Sequence, residues 1–149
     1  MDNENLDLPI VDGNVGFNPK EHEGKQVKIV KIWRDLIDSH YVDGEYNASK
    51  TQKAPVVYIE TEAIAKLTLS DGTDKDVTVK HRFYLQNRVN PVTKEKETVI
   101  SKSPQAKLWK FMRKVGATKL DEIKDKIVTL TVEPSKEPGD DRLFLRIVV

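Results

Sequence analysis

The chain contains no cysteine, which excludes disulfides, thiolate catalysis, cysteine-ligated zinc and iron–sulfur clusters. It has no apolar run approaching the roughly 20 residues that cross a bilayer. Its first residues, Met1 to Asp7, offer neither the basic start nor the apolar stretch of a signal peptide. A soluble, cytoplasmic protein is expected. The seven glycines cluster nowhere, and GxxxxGK, GxSxG and HExxH are all missing, so no phosphate cradle, nucleophile elbow or helical zinc site is indicated. His22, His40 and His81 share no metal-ligand spacing. No enzyme, metal or cofactor is expected.

The 149 residues are 38% hydrophobic and 33% charged, which suits one globular domain with its own core. A net charge of +1 is low for a nucleic-acid binder. The average conceals a division, however. Residues 1–23 hold six acids and one base, a sum of −5 that leaves +6 on residues 24–149. Between Glu97 and Asp121 there are six bases and no acid. An acidic arm on a basic body is expected, with residues 1–24 irregular and residues 25–149 forming the domain. Such an arm could screen the basic groove.

Residues 77–86 alternate strictly: Val77, Val79, Phe83 and Leu85 take one face, and Thr78, Lys80, Arg82, Tyr84 and Gln86 the other. This is a half-buried strand whose wet face is basic and aromatic. His81 falls in the apolar phase and reads as a core imidazole. A strand over residues 56–69 should pair with it as an antiparallel hairpin through the turn signal Asp71-Gly72. Val57, Ile59 and Thr61 share one face of that strand, and Tyr58, Glu60 and Glu62 the other. The first β segment, residues 25–37, changes apolar phase between Ile29 and Ile32, which predicts a bulge or sharp coil in a strand shared by two halves of a small barrel.

Residues 38–55 read as a long polar loop. After residue 86, Asn90-Pro91 signals a turn and Thr98 to Ile100 a short returning strand. A helix follows, with Ser103 as cap, Pro104 at its first position and Gly116 as its close. Leu108, Phe111, Met112 and Val115, spaced 0, 3, 4 and 7, form its apolar face. Trp109 is expected in the core. Strands over 126–133 and 142–149 complete the chain, joined by a charged loop over 134–141.

The order strand, strand, strand, helix, strand, strand resembles the OB-fold, a five-stranded Greek-key barrel with a helix between strands three and four. Within that fold the chain is most similar to single-stranded DNA-binding domains of the replication protein A and single-strand-binding-protein type. The resemblance covers residues 25–149 and is one of element order. It implies a non-catalytic module that binds single-stranded DNA, or RNA, with low sequence specificity. Replication or recombination proteins, and further copies of the chain, would be its protein partners. It places the strand across the outer face of strands two and three, framed by two loops. The matching residues here are Tyr58, Lys80, Arg82 and Tyr84, then Tyr41, Tyr46, Lys50 and Lys53, then Lys136, with Trp33 as a further ring. Glu60 and Glu62 depart from the pattern, since carboxylates on that face would repel phosphates. Two other readings stay open: a protein-binding OB module or assembly subunit, and a small metal-dependent hydrolase using Glu60 and Glu62.

Overall fold

Around residue 30 the first strand changes partners. The computed structural model describes residues 17–104 and 106–149, and in it β1 runs from Gln26 to Ser39. Gln26–Lys28 pair with one neighbour and Ile29–Ser39 with another, and the register slips between Ile29 and Lys31. Val27 and Ile29 point into the core, Val30 is left exposed, and from Ile32 the inward phase resumes one position later. The bulge expected from the apolar pattern is therefore present, and it lets one strand serve both halves of the sheet.

The segment read as a polar loop is partly structured. β2 (Tyr41–Val42) and β3 (Glu45–Tyr46) form a small hairpin at the tip of a longer one, because β1 stays paired with β4 (Gln52–Thr61) as far as Ser39 opposite Gln52. β5 (Ala65–Thr68) and β6 (Asp74–Val77) pair across Asp71-Gly72, where Gly72 has φ +85° and Asp71 Oδ1 accepts from the Thr73 N–H at 2.9 Å. β7 (Lys80–Tyr84) then returns to pair with β4.

The second and third expected strands are thus each split. At the break, the buried Thr61 hydroxyl accepts from the Val79 N–H at 3.0 Å, replacing the missing ladder partner. Beyond β7, β8 (Gln86–Val89) and β9 (Lys96–Val99) form a hairpin. Its turn is held by Asn90 Oδ1, which accepts from the Val92 and Thr93 N–H groups.

The single α-helix, α1 (Lys107–Val115), begins later than its sequence suggests. Ala106 is the N-cap and supplies no side-chain hydrogen bond, while Ser103 and Pro104 lie in a preceding turn. Its end is as read: Gly116 adopts φ +77°, and the Ala117 N–H reaches Met112 O at 2.8 Å. Leu108, Phe111 and Met112 are buried against the sheet. Trp109 is only half-buried, with Lys102 Nζ 4.7 Å from its ring.

β10 (Ile127–Pro134) and β11 (Leu143–Ile147) complete a five-stranded antiparallel sheet in the order β11-β10-β1-β4-β7. The protein is mostly β with one helix. No sheet closes on itself among the described residues, so the full barrel ladder expected from the resemblance is not made. The edge strand β11 nonetheless approaches the chain that leads into β7, across a cleft of about 500 Å³ lined by Val77, Thr78 and Val79 on one side and Leu143, Phe144 and Leu145 on the other.

Most of the expected acidic arm lies outside the described residues. Its last part is a short 3-10 turn, Pro19–His22, with His22 buried and stacked on Phe17 at 5.3 Å. Phe17 in turn packs on the core. No helix among the described residues is long and apolar enough to cross a membrane.

Candidate nucleic-acid interface

Pairing of β1, β4 and β7 sets their outward side chains in rows. Trp33 stands opposite Tyr58, which stands opposite Arg82; the next row is Lys31, Glu60 and Lys80. The Trp33 and Tyr58 rings stack at 5.2 Å with 19° between their planes. Lys31 Nζ is 5.2 Å and Lys80 Nζ 5.9 Å from the Trp33 ring, close enough for both ammonium groups to interact with its π face. On the same face Arg82 lies 5.2 Å from the Tyr84 ring, and its Nη2 donates to Tyr84 Oη at 3.1 Å. Tyr84 is 56% exposed. A patch of rings bordered by cations results, a combination chemically able to stack bases and attract phosphates.

The two carboxylates that threatened this face are engaged by other groups. Glu60 Oε2 accepts from the Thr78 hydroxyl at 2.6 Å and lies 3.9 Å from Lys80 Nζ. Glu62 Oε2 accepts from the Lys28 N–H at 2.6 Å. Each ties two segments of the sheet together, and no cluster of three metal-ligating side chains occurs among the described residues.

The loop residues are distributed differently from the sheet residues. Tyr41 and Tyr46 are cross-strand partners at the tip of the β1–β4 ribbon, 5.6 Å apart edge to face, with His40 5.9 Å from Tyr46. Both tyrosines are 63% exposed. Lys50 is exposed beside them, its carbonyl 2.9 Å from His40 Nδ1. Lys53 forms an ion pair with Asp38 at 2.8 Å; both are solvated, so the pair contributes little. Lys136 is exposed in the β10–β11 loop, and no hydrogen bond or ion pair among the described residues ties it to the sheet face.

Three cations on or near this surface were not singled out from sequence. Lys31 is one; it lies two residues before Trp33 on the same outward face, opposite Glu60. Arg142 and Arg146 flank the Phe144 ring at 5.6 and 5.0 Å on β11. Arg142 also grips Asp140 through Nε and Nη2, and these bonds hold the Asp140 carboxyl well below the usual carboxylate range. Arg146, by contrast, has a largely exposed side chain.

His81 sits on the inner side of β7, half-buried, with its ring 4.5 Å from Phe83. Burial lowers its pKa first, and the nearby charges of Lys107 and Arg146 lower it further, with Glu133 opposing them. The fold therefore favours the neutral imidazole. The unfolded chain binds the extra proton more readily, so stability should decline as pH falls below about 6.5. Thermal unfolding across pH 5 to 8 should show a shallower decline in His81→Gln than in the parent. Parallel curves would remove His81 as the source.

No family model matches the chain, and no curated protein and no solved structure matches it either.

Proposed function

We propose that this protein binds single-stranded nucleic acid, DNA in the first instance, through the outer face of β1, β4 and β7, as an OB-type module without catalysis. The observation that carries the reading is the stacked Trp33–Tyr58 pair with Lys31 and Lys80 at its edge and Arg82–Tyr84 on the adjoining strand. Rings accept any base by stacking, and cations accept the backbone whatever its sequence, so little base selectivity is expected. The strand order supports the OB reading, as do the helix between β7 and β10 and the facing edges of β7 and β11, because OB barrels are commonly only partly closed. Replication or recombination proteins and self-association belong to the same proposal.

A native gel shift comparing labelled oligo(dT) with duplex, at low and high salt and with and without Mg²⁺, tests it. Oligo(dT) should shift at low salt regardless of Mg²⁺, and duplex should not. The absence of any shift would overturn the reading, and Mg²⁺-dependent shortening of the oligonucleotide would turn it toward hydrolysis.

The salt dependence is quantitative. If Lys31, Lys80 and Arg82 each neutralise one phosphate, log K should fall with log salt at a slope of about −2, and Lys80→Ala should flatten it by about 0.7. Equal slopes in variant and parent would take Lys80 out of the path.

A further inference from the structure

β7 is an edge strand, and among the described residues the edge facing away from β4 has no backbone partner over part of its length. The Leu85 N–H donates to Pro55 O at 2.9 Å and the Thr61 N–H to Val79 O at 2.9 Å. The odd-numbered residues of this strand thus direct their backbone groups at β4. In an antiparallel ladder alternate residues point the opposite way, so the N–H and C=O groups of Lys80, Arg82 and Tyr84 project from the outer edge. Beyond Leu85 the chain is covered, because β9 pairs with β8 from Gln86 onward. After Val99 the chain leaves the edge, and a cleft of about 620 Å³ opens between residues 81–86 and the segment bearing Ser101, Ser103 and Lys107.

The chemistry of the cleft is one-sided. Arg82 and Lys107 line it, and no Asp or Glu does so among the described residues. Leu85 and Ala106, both half-buried, give it apolar surface, and the hydroxyls of Ser101 and Ser103 give it donors. An unpaired edge supplies main-chain hydrogen bonds to any extended segment, and the surrounding pockets then select its side chains.

We infer that this cleft is a docking site for an extended acidic peptide of a partner protein, added as a strand to the outer edge of β7 with alternating acidic and apolar side chains. The open stretch, Lys80 to Tyr84, accommodates about 17 Å of strand. The two sites would share the Arg82 charge, but the peptide's main-chain hydrogen bonds to Arg82 and Tyr84 and its contact with Lys107 lie outside the nucleic-acid face, so this inference does not depend on the proposed function.

The test uses the full chain and two labelled peptides of about ten residues, one alternating aspartate with valine and one alternating lysine with valine. Fluorescence anisotropy should show the aspartate peptide binding at least tenfold more tightly. Hydrogen exchange should show the Arg82 and Tyr84 amides newly protected in its presence. Lys107→Glu should weaken binding about tenfold, since it puts like charges together. Ser103→Trp should abolish binding by filling the cleft without altering charge; both positions are exposed, and melting temperatures verify folding. Failure of the aspartate peptide to bind, or protection confined to other strands, overturns the inference. So does protection of the same two amides by oligo(dT), which would assign the cleft to nucleic acid. Protection that rises with protein concentration in the absence of peptide would overturn it in favour of edge-to-edge pairing between two copies.

Discussion

Trp33→Ala should weaken binding of oligo(dT) by about 1 to 3 kcal/mol, roughly 5- to 150-fold, the range measured when a ring that stacks a base is removed. The expectation rests on where the ring lies. Trp33 is half-buried, stacked on Tyr58 and approached by Lys31 and Lys80, so its loss removes a platform and the contact that orders two cations. Because the rings touch, Trp33→Ala and Tyr58→Ala should be non-additive in a double-mutant cycle. Fluorescence provides a second readout. The chain has two tryptophans, and Trp109 lies on α1 against the core, so quenching by oligo(dT) should vanish in Trp33→Phe, which keeps a ring in place. Unchanged affinity in Trp33→Ala would move the binding path off this face.

Phe111→Ala should have the largest effect on stability, about 3 to 5 kcal/mol. Its side chain is 1% exposed and its ring lies 5.2 Å from that of Phe83, joining the helix to β7. Truncation leaves a cavity between the helix and the sheet. Against a total of about 5 to 15 kcal/mol for a domain, such a loss should shift the urea midpoint clearly to lower concentration. A shift equivalent to less than about 1 kcal/mol would mean that α1 repacks without that ring.

Some of this architecture was legible because a period declares a face. The 0, 3, 4, 7 spacing of Leu108, Phe111, Met112 and Val115 could only be a buried helix stripe, and the alternation through residues 77–86 placed Lys80, Arg82 and Tyr84 together on the wet side. The phase slip near Ile29 marked the bulge. Other features carry no period. β2 and β3 are two residues each, too short to alternate, so Tyr41 and Tyr46 read as loop. The strand over 56–69 alternates continuously, yet it is cut at Glu62–Ile64, and alternation does not reveal where a strand changes partner. Pro104 suited a first helical position, but the turn closed by the Ala106 N–H on Ser103 O delays the helix to Lys107.

At the surface the difficulty was distance along the chain. Glu62 finds its donor at Lys28 and Glu60 finds its own at Thr78, 34 and 18 residues away. Two carboxylates that look repulsive in sequence are in fact fastenings of the sheet. Lys31 is the opposite case: its place beside Trp33 is legible in the sequence, because the phase slip that marks the bulge also fixes which residues of β1 face outward.

That bulge ties the inside of the molecule to its outside. Val30 is 41% exposed and its side chain has little to pack against, so the identity of the residue there is nearly free. Its presence is not. Were the chain one residue shorter at this point, Ile29 opposite Thr61 and Lys31 opposite Glu60 would become consecutive pairs of a regular ladder: Ile32 would still face the core and Lys31 and Trp33 the outside, but the local bend by which β1 passes from β10 to β4 would be lost. A lineage descended from this sequence can therefore change residue 30 readily, yet it cannot drop the position without straightening the strand where it passes from one partner to the other.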